Sequence, residues 1–370
     1  MAERRCRLAA VAGPVTSLVL LMLLMLMGPA AYAANDEART ELSWADERIT
    51  ESSGLAFVGD LLVTTNDSGD GPVLYVVDPA TGETVGTTTY TTPSGLEPVD
   101  VEALAPVPGE RAVWVGDIGD NRAARDSVAV HRVPIAAGDR SVPAQTVELV
   151  YSDGAHDAET LMTDPRTGRL YVVTKGFTGG TVYAAPRDLD PFVSTVGGAT
   201  SGRPATLRPV GQVSGFLTDG LLLPRGSGVL LRDYAGSTAY TWPGLERITP
   251  VGIPPMRQGE AIALRGGRVW ASTEGEGTEV VSVPLPPVLR ARATPRAEQE
   301  RTSAGSPSPD VSPGDGPVDA PAASEPPYAT DPSVLPPWVI TVGAPAAAAA
   351  IAAIAVVALV RRRSRRRPRP

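Results

Sequence analysis

The chain has 370 residues, a net charge of −8, two histidines and one cysteine. Cys6 lies near the start, so the remainder has no thiol for a disulfide, a nucleophile or a Cys-type zinc site. Residues 1–34 carry +2 and the last ten carry +7, which leaves −17 on residues 35–360. That balance argues against binding nucleic acid, whose phosphate backbone demands clustered Lys and Arg.

Taken in chain order, residues 1–33 predict a secretory signal peptide. A basic start, the apolar run SLVLLMLLMLM and small residues at Ala31 and Ala33 follow one another. Residues 35–288 predict an ectodomain, and 289–337 a disordered stalk rich in Pro, Ser, Ala and Asp. Residues 338–360 hold no charge and are long enough for a single transmembrane helix. The arginine-rich 361–370 would then stay in the cytoplasm, giving a single-pass protein of the cell membrane with its ectodomain outside.

Within the ectodomain, five segments align on an apolar residue: ESSGLAF (51–57), DVEALAP (100–106), DAETLMT (157–163), VSGFLTD (213–219) and QGEAIAL (258–264). The aligned positions are Leu55, Leu104, Leu161, Phe216 and Ile262. After a turn each is followed by a second β-prone run, at 61–67, 112–120, 170–176, 228–234 and 268–275. Third runs occur at 73–78, 128–133, 181–186 and 279–284. DPATG (78–82) and DPRTG (164–168) are hairpin signals, with proline presetting one turn position and glycine supplying positive φ. Short strands repeating about every 50 residues predict an all-β fold, a β-propeller. Five blades fit best, with six as the alternative because 164–213 is long. TELSW (40–44) resembles the outer strand TVELVY (146–151) and is expected to complete the last blade and close the ring.

In such a blade the start of strand one and the end of strand two share a face beside the central channel. Strand-one starts carry Glu51, Asp100, Glu102, Asp157, Glu159 and Glu260. Strand-two ends carry Asn66, Asp67, Asp117, Asp120, Asn121, Lys175, Arg232, Asp233 and Glu274. So many carboxylates at one mouth repel one another unless protonated, paired with cations or bound to a metal. Calcium, a hard cation taking 6–8 oxygen ligands, is the metal such a donor set suits. The expected ligands are Glu51, Glu102, Asp117, Glu159 and Glu260, with Asp67, Asp120, Asn121, Lys175, Arg232, Asp233 and Glu274 lining a ligand site. The plainer alternative, that these groups only cap strands and pair locally, stays open. So does a hydrolytic centre. His156 next to Asp157 reads as a structural hydrogen bond, and no nucleophile elbow, P-loop or dinucleotide fingerprint is present.

The blade starts DVEALA, DAETLM and QGEAIA, with GDIGDN at 116–121, resemble secreted bacterial β-propellers of the phytase-like and WD40-like class over about residues 40–288. In the phytase-like kind, calcium at the channel mouth binds substrate phosphate and activates water. That resemblance would give ligand roles to Glu51, Glu102, Asp117, Glu159 and Glu260, although only Lys175 and Arg232 offer basic groups for phosphate. The expected function is a membrane-anchored extracellular module that binds a small molecule or protein at an acidic mouth. A calcium-dependent phosphoesterase or esterase using the same mouth is the alternative.

Overall fold

The computed structural model describes residues 37–67, 70–93, 96–189 and 204–293. All lie in the first of two compact units, 1–306. The expected signal peptide and membrane span, and nearly all of the stalk, fall outside the described residues. Among the described residues no helix is long and apolar enough to cross a membrane.

The described chain is almost entirely antiparallel β, the β-propeller class that the sequence predicts. The first strand, β1 (Arg39–Ser43), stands apart from the groups that follow it in the chain. Group one is β2 (Ser52–Val58), β3 (Leu61–Asn66), β4 (Val73–Val77) and β5 (Thr84–Thr91). Group two is β6 (Val101–Pro106), β7 (Ala112–Asp117), β8 (Val128–Pro134) and β10 (Gln145–Tyr151), with the short β9 (Arg140–Pro143) paired parallel to β5. Group three is β11 (Ala158–Thr163), β12 (Leu170–Thr174), β13 (Gly180–Ala184) and β14 (Ala205–Val213). A parallel pairing of β10 with β14 joins groups two and three into one eight-stranded sheet. Group four is β15 (Leu217–Leu222), β16 (Val229–Asp233), β17 (Gly236–Tyr240) and β18 (Arg247–Val251). Group five is β19 (Gly259–Arg265), β20 (Arg268–Thr273) and β21 (Glu279–Pro284), and β1 supplies its fourth strand by pairing antiparallel with β21. A short helix, α1 (Pro287–Ala293), follows.

The inner strands β2, β6, β11, β15 and β19 each lie beside the next, and β19 lies beside β2. Apolar clusters fill the spaces between neighbouring groups. Ala56, Val63 and Leu74 of group one meet Leu104, Val113 and Val115 of group two. Leu42, Trp44, Trp270 and Val280 of group five, its added strand included, meet Leu55, Leu62 and Tyr75 of group one. Each sheet is therefore buried on both faces, which explains inner strands that read as near-continuous apolar runs rather than as alternation.

Every inner strand slips register at the same place. The pairing skips Ser53 in β2, Glu102 in β6, Glu159 in β11 and Thr218 in β15, and the same slip falls within Gly259–Ile262 in β19. A bulge of this kind bends the strand and re-aims the extra side chain. It also fixes the structural alignment. Residue Gly220, not Phe216, stands level with Leu55, Leu104, Leu161 and Ile262, so the anchor expected in group four is displaced by four residues. Phe216 precedes β15 and is exposed.

Group four is tied to group five through a carboxylate. Asp219, buried in β15, accepts hydrogen bonds from Gly220 N and, across the groove, from Ile262 N, both at 2.7 Å. Removing it would strand two buried N–H groups at roughly 1–3 kcal/mol each. Asp219→Ala is therefore expected to cost about 3 kcal/mol by urea unfolding, and Asp219→Asn, which keeps one acceptor, about half as much. A loss below about 0.5 kcal/mol for the alanine variant would show that the tie carries no weight.

Candidate functional site: an acidic mouth

The channel between the inner strands has two unlike ends. Leu55, Leu104, Leu161, Gly220 and Ile262, with the strand residues that follow them, line an apolar cavity of about 210 Å³ at the far end. At the other end, where inner strands begin and second strands finish, the acids gather.

Backbone hydrogen bonds set the rim. Asp67 N donates to Glu51 O, Gly119 N to Asp100 O, Lys175 N to Asp157 O and Glu274 N to Gln258 O, at 2.9 to 3.2 Å. Each joins the residue before a strand one to a residue just after the adjoining strand two. Group four breaks the pattern: its corresponding residues, Phe216 and Tyr234, meet as rings 5.8 Å apart. One step down the channel stand the bulge residues Glu102, Glu159 and Glu260, all buried. Ser53 and Thr218 occupy the bulge in groups one and four.

The carboxylates feel one another round the ring. Burial, then the charges of Asp67, Glu159 and Asp100, pushes the Glu102 carboxyl up to about 10 against the pull of Lys175. Burial also raises Glu159 and Glu260, the latter to about 7, with Lys175 opposing in both cases. Asp100 is raised by burial and by Asp67 and Asp157, and Glu274 by burial and by Glu51 and Asp67. Lys175, the chain's sole lysine, pairs with Glu159 and is held protonated by it. Its ammonium lies 4.9 Å from the Phe216 ring centre and 5.5 Å from that of Tyr234.

Oxygens of Asp67, Asp100 and Glu102 lie within 4.8 Å of one another. Glu102 has no hydrogen-bond partner among the described residues. Gly119 closes over the group: a Cβ there would stand 2.5 Å from Asp100 Oδ2 and 2.6 Å from Glu102 Oε1, so a larger residue would push these carboxylates aside. Oxygens so grouped could share one metal ion.

The other residues expected at the site divide by what holds them. Asp117 is occupied by the fold: Oδ1 accepts from Val99 N and Asp100 N, and Arg125 forks onto both oxygens at 2.9 Å. Asn66 does the same job in group one, accepting from Thr50 N and Glu51 N. Asp120 Oδ2 caps Ala124 N and Arg125 N, while its own N–H reaches Asp157 Oδ1. Asp233 Oδ1 caps Ala235 N and Gly236 N. Glu51 and Asn121 are exposed. Arg232 is fully buried, and among the described residues its Nε and Nη1 have no hydrogen-bond partner. It lies where a Cβ on Gly259 would collide with Nη2 at 2.1 Å. His156 Nε2 bonds Asp153 and Tyr183, as its sequence reading expects.

Sequence reasoning missed Asp219, Tyr234 and Phe177. The first was reachable by matching L-T-D-G of β15 to A-E-T-L of β11, a match that the bulge register makes plain.

No protein-family model matches the chain, and no curated protein matches it. The solved structures similar to the chain include the following three. A gluconolactonase from Xanthomonas campestris shares 15% identity over 70% of this chain and 93% of its own, with a TM-score of 0.39. A putative gluconolactonase shares 12% identity over 67% of this chain and 91% of its own, with a TM-score of 0.38. A nidogen–laminin complex includes a chain at 14% identity, covering 64% of this one and 77% of that one, with a TM-score of 0.35. At such scores these likenesses carry nothing about substrate or partner.

Linkage gives the buried acids a measurable signature. Their folded pKa values lie above the usual value for glutamate, so the folded state holds more protons than the unfolded state between about pH 4.5 and the raised values. Stability contributed by the protonated carboxyls is therefore full at low pH and is lost as pH climbs through that window. In chelator-treated buffer the melting midpoint should fall from pH 5 to pH 8, and Glu102→Gln should raise the midpoint at pH 8 and flatten the fall. A midpoint that rises with pH over this range would contradict the burial described.

Proposed function

We propose that residues 35–288 form a five-bladed propeller ectodomain, closed by β1 and held at the cell surface by a C-terminal span, whose acidic mouth binds a divalent cation, best matched by calcium. The observation that carries the cation is the trio of Asp67, Asp100 and Glu102, crowded within 4.8 Å with Glu102 buried. Like charges so close need a counter-charge or protons. Hard carboxylate oxygens without histidine or cysteine suit calcium over zinc. Of the ligands expected from sequence, Glu102 stays, Asp67 joins it from the ligand-lining set, and Asp100 is added. Glu159 and Glu260 stand further round the same ring and Glu51 on the rim, while Asp117 serves the fold.

Five apolar clusters, one between each neighbouring pair of strand groups, favour five blades. The pairing of β1 with β21 favours closure. β21 runs parallel to β19 and ends beside the β19–β20 turn, where Leu285 N meets Gly267 O. β21 therefore ends on the side opposite the mouth.

A second reading, a calcium-dependent hydrolase akin to phytase-like propellers, draws on Glu260. A carboxyl poised near neutrality is suited to general-acid work.

Melting the protein in calcium and after thorough chelation tests the cation. At a calcium level about a hundred times the dissociation constant, binding contributes about 3 kcal/mol and should raise the midpoint by several degrees. Glu102→Gln should remove most of that rise. An unchanged midpoint on chelation would end the calcium reading. Hydrolysis of phosphomonoesters or simple esters that disappears in Glu260→Gln would favour the second reading over a pure binding module.

A further inference from the structure

Apart from the carboxylates, the mouth carries an apolar arc. Among the described residues, large hydrophobic side chains are exposed at Val85, Val99, Phe177, Val210, Phe216, Tyr234 and Val288. Four of these, Val99, Phe177, Phe216 and Tyr234, sit in the loops that open onto the acidic end. Phe177 is 77% exposed, and it meets Phe216 at 6.3 Å between ring centres; Phe216 in turn meets Tyr234. None of the three is needed to fill the core, since each already faces water. Contiguous exposed aromatics of this kind mark interaction surfaces, where rings supply most of the binding energy at little entropic cost.

The charge around that arc says what kind of partner it fits. Glu51, Asp67, Asp100, Asp157, Asp233 and Glu274 face water wholly or in part along the rim, against three exposed arginines of the same loops, Arg48, Arg122 and Arg257, of which Arg48 is paired with Asp46. Lys175 adds no free positive charge, because Glu159 holds it. Glu102, unpartnered and 5% exposed, stands just inside. An apolar arc beside an acid basin complements a basic group with apolar neighbours and repels phosphate backbones and anionic lipid.

We infer that the mouth docks a polypeptide segment presenting an arginine or lysine flanked by apolar residues, the flanks packing on Phe177, Phe216 and Tyr234 and the charge entering among the rim carboxylates. The inference rests on reading the mouth as a binding face; it does not rest on the cation. A divalent ion on the Asp67 side leaves the aromatic arc and Glu274 available.

Panning a phage-displayed random dodecapeptide library on the full chain in detergent, in calcium and in chelator, tests it. Phe177→Ser/Phe216→Ser, checked for unchanged melting, serves for counter-selection. Enrichment of sequences with Arg or Lys between apolar residues is expected. Synthetic copies should bind about tenfold more weakly to the double variant and more weakly in high salt. Enrichment of acidic or uncharged sequences, no enrichment over the double variant, or salt-insensitive binding would each overturn the inference. Because enrichment is scored with and without calcium while the cation is judged by melting, either reading can fail while the other stands.

Discussion

Carboxylates buried at one opening must be neutralised by protons, by a paired base or by a metal, and much of this structure is arranged around that constraint. The fold creates the crowding. A bulge at the same position of each inner strand turns one side chain toward the channel, and in three strand groups that side chain is a glutamate. Each group settles its glutamate differently. Glu159 has Lys175. Glu260 lies within the fields of Lys175 and Arg232. Glu102 has no base paired with it: burial and the charges of Asp67, Glu159 and Asp100 raise it, and only the field of Lys175 opposes. That difference is the reason the proposed cation is assigned to the groups-one-and-two side of the mouth.

The scaffold can bear the cost because it is stabilised elsewhere. Apolar clusters between neighbouring groups hold the inner strands in position, and the far end of the channel is lined by Leu55, Leu104, Leu161 and Ile262. Side chains that end the second strands hold the approach to the first strands. Asn66 and Asp117 accept the two N–H groups before the bulge strands β2 and β6, and Thr273 Oγ1 donates to Arg257 O and Gln258 O before β19. These are polar residues at the mouth whose work is to fix the backbone beneath the acids. They explain why an acid at the rim is not by itself a ligand.

The strand pattern was legible in sequence because burial on both faces makes each inner strand a compact apolar run, and because turn chemistry marks its ends. At DPATG, Gly82 adopts φ +79° and its N–H closes on Asp78 O. The convergence of Glu102, Glu159 and Glu260 was legible too, since strand polarity alone sends those positions to one end. Group four was not. It places threonine where three groups have glutamate and glycine where the other groups have leucine or isoleucine, so an apolar anchor slid to Phe216. The role of Asp117 was hidden for another reason: two of its partners, Val99 and Asp100, become neighbours only once β6 and β7 pair. The same holds for Asp219, whose second partner lies in the next strand group.

The central claim is that the Asp67–Asp100–Glu102 corner holds a cation that the rest of the ring does not need. Equilibrium dialysis against radioactive calcium measures this directly, comparing the natural chain, Asp100→Asn/Glu102→Gln and Glu260→Gln. The account predicts a single tightly held ion per chain, lost in the first variant and retained in the second. An ion kept by Asp100→Asn/Glu102→Gln, or none bound by the natural chain, would contradict it.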